Sequence, residues 1–138
     1  MIVIDASVLV EAYTVYGPVG DDARVELANL AALDVPAIFP CEVVSAIRAR
    51  VNRGELSLAR ASAALEQPSS TRTVTCPFEP FQSRVWQLRD NYTAYDAWYV
   101  ALAEWLDADL VTCDERLARA TGARCRIRRP RGRTESTA

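Results

Sequence analysis

From Ala97 to Ala103 the chain reads AWYVALA, with no charge in it, while Trp98, Ala101, Leu102 and Trp105 recur at helical spacing and Val100 and Ala103 fall on another face. A helix apolar nearly all round is a buried helix, so the rest of the fold has to be built against it. Thr93 stands three residues before Asp96, the pattern of an N-cap with an acid in the first turn, which places Asp96 at the mouth of that helix. Beyond the helix, Asp109-Leu110-Val111-Thr112 reads as a short strand, and Asp114 follows it. Taken singly, both acids are explained as caps, each contributing about 0.5–2 kcal/mol, Asp114 for a helix from Glu115 to Ala120. Only other acids converging on them would argue for more.

The chain in order supplies those acids. Ile2-Val3-Ile4 is a β-branched run ending in Asp5, and Ser7 opens helix-compatible sequence as far as Tyr13. Gly17-Pro18-Val19-Gly20 is a break, after which Asp21 and Asp22 open a helix with Ala23, Leu27, Leu30 and Ala31 on one face. Ala37-Ile38-Phe39 reads as a very short strand, and Pro40 starts a helix with Glu42 in its first turn, burying Val43, Val44, Ile47 and Val51. Ser57 caps a second helix with Leu58, Ala61 and Leu65 on one face, completing a helical hairpin that Pro68-Ser69-Ser70 closes. Thr71 to Cys76 is β-prone, and Phe78, Phe81, Val85 and Leu88 give the next helix its core face. Arg124 to Ile127 reads as a last, edge-like strand.

Strand, helices, strand, helix pair, strand, helix pair, strand, short helix and strand is the order of a single α/β domain with a mostly parallel central sheet flanked by helices on both sides. A chain of 138 residues, 50% of them apolar, suits one such domain. Its expected span is residues 1–127, followed by an arginine-rich, flexible tail over 128–138. In sheets of this kind ligands bind outside the carboxyl ends of the strands. Asp5, Glu42 and Asp114 are all predicted on that edge, and Asp96 heads the helix that packs against it.

Missing residue types narrow the chemistry. The chain has neither histidine nor lysine, which excludes the Ser-His-Asp triad, histidine metal sites, the P-loop and Schiff-base lysines. The four cysteines are scattered singly, without a C-x-x-C pair, and are expected to be reduced thiols. No apolar run approaches the roughly 18 residues of a membrane span, and the expected setting is the cytoplasm. What remains for chemistry is carboxylates. Four of them in one pocket repel one another, so the cluster either takes up protons or holds cations. Oxygen donors alone suit Mg²⁺, with Mn²⁺ able to substitute, and such ions serve phosphodiester chemistry.

The set Asp5 with Ser7, Glu42, Asp96 within Tyr-Asp-Ala, and Thr112-x-Asp114 resembles the PIN-domain ribonucleases, and the chain length is similar to that of the VapC-type toxins of bacterial toxin–antitoxin pairs. The resemblance runs from Met1 to about Ile127. It implies a metal-dependent endoribonuclease in which Asp5 and Asp96 are the principal Mg²⁺ ligands, Asp114 completes the cage, and Glu42 holds metal or positions the attacking water. Ser7 and Thr112 would support these groups by hydrogen bonds. It further implies a cognate antitoxin that inserts into or beside the active groove, and a homodimer.

Rival readings belong to other classes. A haloacid-dehalogenase-type phosphatase would want an Asp where Ser7 stands and a lysine, and a phospho-receiver domain fails on the same lysine. A non-catalytic PIN-like module that binds RNA or protein is the stronger rival, though capping alone does not require four acids to converge. The net charge of −2 hides an uneven distribution: Arg124, Arg126, Arg128, Arg129, Arg131 and Arg133 crowd the C-terminus. Arg126, Arg128, Arg129 and Arg131 are therefore candidate phosphate contacts for a nucleic acid, against the alternative of a solvated tail. Any surplus of Val43, Val44, Ile47, Leu58 and Leu65 beyond the core would form a groove for an antitoxin or a second copy.

Overall fold

The computed structural model describes residues 1–67 and 71–132; the closing turn expected at Pro68-Ser69-Ser70 and the end of the tail, with Arg133, lie outside them. In chain order, β1 (Ile2–Ile4) turns at Asp5 into α1 (Ala6–Thr14), followed by α2 (Pro18–Ala28), β2 (Ala32–Pro36), α3 (Phe39–Asn52) and α4 (Leu58–Glu66). Then come β3 (Arg72–Cys76), a single 3₁₀ turn (Glu79–Phe81), α5 (Gln82–Gln87), α6 (Ala94–Trp105), β4 (Asp109–Val111), α7 (Glu115–Arg119) and β5 (Ile127–Arg128). The expected mostly parallel sheet is present in two hydrogen-bonded parts, β1-β4-β5 and β2-β3, with every ladder parallel. β1 and β2 lie close together where the parts meet.

The uncharged helix is the centre of the core. All residues from Ala97 to Ala103 are buried, and α6 packs on β1, β2 and β4 with α5 beside it. Trp105, expected on the buried face, is 72% exposed and meets Phe81 edge-to-face instead. It stands at the last turn, beyond the strands it would have to cover. On the other flank α1 packs against α2, α3 and α4.

In the first half of the chain two elements differ in position from the sequence reading. The second strand is Ala32–Pro36 and not Ala37–Phe39, because Leu33 and Val35 alternate with half-exposed Ala32 and Asp34, which gives β2 a buried face at strand period. Its register with β3 ends at Pro36 opposite Cys76, and Ile38–Phe39 already turn into α3, where Pro40 needs no hydrogen-bonded N–H. The second helix begins at Pro18, three residues before Asp21, with Gly17 at a left-handed φ of 105° as its N-cap.

The helical hairpin buries less than its periodicity predicts. Val43, Ile47, Ala61 and Ala64 are buried, whereas Val44, Leu58 and Leu65 are 50%, 72% and 47% exposed. Alanines let α4 approach closely, so the larger side chains on its rim are left on the surface.

The last strand is also displaced. β5 is Ile127–Arg128, with Leu110 and Thr112 donating their N–H groups to the Arg126 and Arg128 carbonyls at 2.9 Å. The folded domain therefore continues past Ile127. Arg128 donates to Glu26 at 2.6 Å and to Asp109 at 3.0 Å, and the Arg131 N–H reaches the same Glu26 oxygen at 2.9 Å. Glu26 is buried on α2, so this fork joins β5 to α2 and satisfies a carboxylate removed from water. Arg128→Ala is expected to cost about 2 kcal/mol, because it strands that carboxylate, while Arg126→Ala on the exposed side costs under ~0.5 kcal/mol. Urea denaturation of the two variants checks this.

Candidate active site

Asp5, Glu42 and Asp114 each follow a strand where the chain turns into a helix, and Asp96 stands at the turn from α5 into α6. Asp5 leaves β1 with its N–H bonded to the Val111 carbonyl at 3.1 Å, which fixes it to the neighbouring β4. As N-cap of α1 its Oδ1 accepts the Ser7 N–H at 3.0 Å and also the Ser7 hydroxyl, and its Oδ2 accepts the Thr112 hydroxyl at 2.7 Å. Ser7 Oγ in turn accepts the Cys113 N–H at 2.9 Å, and Thr112 Oγ1 accepts the Asp114 N–H at 3.0 Å. These bonds tie the turn after β1 to the turn after β4, and they are buried enough to hold their geometry.

Asp114 is the N-cap of α7, its Oδ1 accepting the N–H groups of Arg116 at 2.8 Å and Leu117 at 3.3 Å. Asp96 sits in the first turn of α6, which Thr93 caps by accepting the Asp96 N–H at 3.1 Å. Glu42 occupies the first turn of α3 beyond β2. Asp5 and Asp114 are thus caps at neighbouring turns, tied together through Ser7 and Thr112, whereas Glu42 and Asp96 lie in first turns that other residues begin.

The acids feel burial and one another's charge. Burial pushes the Asp5 carboxyl up to about 6, with the Ser7 and Thr112 hydrogen bonds holding it back and the charge of Asp96 adding to the rise. Burial also raises Glu42, which Tyr99 partly counters and Asp5 and Asp96 reinforce. Asp96 is raised by burial, relieved by Arg116 and pushed up again by Asp114. Asp5, Glu42 and Asp96 therefore act on one another, and Asp114 joins through Asp96.

Whether these groups suit a hard divalent cation depends on their donors and their freedom. All are carboxylate oxygens, the right chemistry for Mg²⁺ or Mn²⁺. Glu42 Oε1 and the Tyr99 hydroxyl that acts on Glu42 are both buried without a partner within hydrogen-bond distance among the described residues, and a cation would satisfy the carboxylate oxygen. The cluster is open rather than closed: among the described residues no three acids, cysteines or histidines are drawn together into a ready cage. Asp114 faces its helix, and Asp96 faces Arg116. The residues fit the ion in chemistry and in charge.

Two residues near the acids were not singled out by sequence reasoning. Tyr99 lies one turn along α6 from Asp96, fully buried, and burial together with Glu42 raises its hydroxyl. Its only signal in the sequence is the i,i+3 spacing from Asp96. Arg116 reaches Asp96 Oδ2 at 3.3 Å and Asp114 Oδ2 at 4.0 Å. Two positions after an expected N-cap, it carries no signal in the sequence that sets it apart from other arginines on surface helices.

The four candidate arginines do not form one surface. Arg126 precedes β5 and so lies toward the amino end of the sheet, away from the acids. Arg128 is engaged by Glu26 and Asp109, and Arg131 is half-buried with its backbone on Glu26. Arg129 alone is exposed at the acids' end, paired with Glu115 at 3.5 Å and donating to the Cys113 carbonyl at 3.2 Å. All four cysteines are free, and burial pushes the Cys113 thiol up to about 12, so it is no nucleophile at neutral pH.

Comparison with known proteins agrees with this architecture. The PIN domain family model matches residues 2–123. Ribonuclease VapC12 of Mycobacterium tuberculosis is 38% identical over 127 residues, spanning 92% of this chain and 97% of that protein. Among solved structures, PAE2754 from Pyrobaculum aerophilum superposes with a TM-score of 0.65 at 22% identity, covering 92% of this chain and 82% of that one. VapC20 of M. tuberculosis, described as a toxin that cleaves the sarcin–ricin loop, gives 0.61 at 13% identity, covering 85% and 92%.

Proposed function

The chain belongs to the PIN-domain family and, within it, to the VapC ribonucleases, and from that membership we propose that it is an Mg²⁺-dependent endoribonuclease, the toxin of a toxin–antitoxin pair. The observation that supports the reading is that Asp5, Glu42 and Asp96 are each raised by burial and by the charge of another acid, with Asp114 acting on Asp96. Ionised together without a cation, such groups are unfavourable.

Asp5, Asp96 and Asp114 would hold the metal, and Glu42 would hold it or steady the attacking water. When bound, the ion would supply a more acidic water and neutralise charge on the phosphodiester. The chain's own part is to fix the carboxylates. Ser7 and Thr112 hold Asp5 so that both its oxygens are oriented, and the Thr112 hydroxyl links Asp5 to the backbone of Asp114. Mn²⁺ is expected to substitute.

The partners proposed are RNA as substrate, a cognate antitoxin, and a second copy of the chain. Val44, Leu58 and Leu65, left exposed by the hairpin, supply apolar surface for a protein partner. No helix among the described residues is long and apolar enough to cross a membrane, and the proposed setting is the cytoplasm.

The test is cleavage of structured and unstructured RNA with Mg²⁺, with Mn²⁺ and with chelator, beside Asp96→Asn. Chelator should abolish cutting, Mn²⁺ should restore it, and Asp96→Asn should lower it on the order of 10²-fold or more, the scale of losing one charge-stabilising group. Undiminished cutting in chelator would refute the metal dependence.

A further inference from the structure

Arg116 is the cation placed among the acids, and its position is unusual for a residue on so short a helix. Its backbone N–H is held at 2.8 Å by Asp114, the same residue whose other oxygen its guanidinium approaches at 4.0 Å. From there the side chain reaches across to Asp96 on α6 at 3.3 Å, while remaining 72% exposed. It thus bridges the first turns of two helices at the solvent side of the cluster. An exposed ion pair adds little to stability, so stability gives little reason for the span. A guanidinium so placed has two electrostatic alternatives: it neutralises the carboxylates, or it is displaced from them by a stronger cation and becomes free to meet an anion.

We propose that Arg116 is a phosphate-binding arm of the nuclease, held across Asp96 and Asp114 by ion pairs that a divalent cation releases. A divalent ion brings twice the charge of a guanidinium to the same oxygens, and its charge repels the guanidinium that pairs with Asp96 Oδ2. Once released, the guanidinium stays tethered beside the site, because the Arg116 backbone remains bonded to Asp114. Its planar fork suits two oxygens of an RNA phosphate. The consequence has opposite signs for two ligands: removing the arginine should help the metal and hinder the RNA. This inference rests on the metal-dependent reading above, and its test separates the two.

The experiment is calorimetric titration of Mn²⁺ into the full chain without RNA, for wild type, Arg116→Gln, Arg116→Lys and Arg119→Gln, followed by steady-state RNA cleavage at saturating Mn²⁺. Arg119 makes the same change of charge one turn away, where its pairing is with Glu115. Arg116→Gln is expected to bind Mn²⁺ about 3-fold or more tightly than wild type and to raise KM for RNA about 10-fold, as for a lost charged contact. Arg116→Lys should return Mn²⁺ affinity toward wild type and recover part of the KM, since a point charge lacks the fork. Arg119→Gln should change neither. Mn²⁺ affinity that is unchanged or weaker in Arg116→Gln, or a KM that does not move, overturns this inference alone. A wild-type chain that takes up no Mn²⁺ overturns the metal reading along with it. The exposure of Arg116 predicts that all variants fold, and unfolding temperatures within a few degrees of wild type verify it.

Discussion

Asp5→Asn is expected to stop RNA cleavage, by on the order of 10³-fold, and at the same time to make the metal-free protein more stable at neutral pH. The second half follows from burial. Asp5 is 7% exposed, and its carboxyl is lifted from 3.8 to about 6, so ionising it in the folded chain costs on the order of 3 kcal/mol. A group whose pKa is raised on folding contributes stability that is complete below its unfolded value and is lost as pH climbs through its folded value. For Asp5 the loss runs between about pH 4 and 6. Asparagine keeps the shape without the charge, so the variant should match wild type near pH 4 and exceed it above pH 6 by up to ~3 kcal/mol, less any hydrogen bond from Ser7 or Thr112 that the amide cannot accept. Thermal melts of both proteins across that range, in chelator, check the sign. An activity-dead variant that is also less stable at pH 7 would mean that Asp5 is a structural cap and little else.

The second large effect lies away from the acids. Gly20→Ala is expected to destabilise the chain by about 3 kcal/mol or more, or to prevent folding. A Cβ at Gly20 would stand 2.0 Å from the Val15 carbonyl oxygen and 3.2 Å from the Arg24 guanidinium. The oxygen belongs to backbone and does not yield. Arg24 meanwhile donates to the Ala12 and Val15 carbonyls at 2.7 and 3.0 Å, ending α1 by occupying its last acceptors. Because α1 starts at Asp5, an α1 that shifts at its far end also shifts the site. Chemical denaturation measures the loss, and Gly54→Ala offers a contrast: its Cβ would meet nothing within 4 Å, leaving only the strain of a φ of 74°.

Much of this architecture could be read from residues alone, and the parts that could not share a cause. Asp5 and Asp114 could be placed at turns because short β-branched or apolar runs end near acids where a helix must begin, and Asp96 because Thr93 stands three residues before it, and local pattern decides such turns. The buried helix was legible because nothing charged interrupts it. The strand Ala32–Pro36 was not, since an Asp and a Pro in five residues outweigh two buried apolar side chains until the neighbouring β3 is known to be present. Arg128 read as part of a basic tail because its partners, Glu26 and Asp109, lie 102 and 19 residues away. Tyr99 and Arg116 have the same character: a tyrosine in an apolar helix and an arginine on a surface helix acquire meaning only from what the fold sets opposite them. Val44, Leu58 and Leu65 show the reverse, a helical stripe that promised burial and stays exposed among the described residues.

Under the metal dependence proposed above, these carboxylates tolerate one another at neutral pH by sharing a divalent cation. The most direct test is calorimetric binding of Mg²⁺ at pH 6, run in two buffers of different ionisation enthalpy so that proton movement is counted. With the Asp5 carboxyl near 6 and its neighbours raised, binding should release on the order of half a proton or more per chain, and Asp5→Asn should lose both the binding and the release. Binding with no proton release, or binding that survives Asp5→Asn unchanged, would contradict the account.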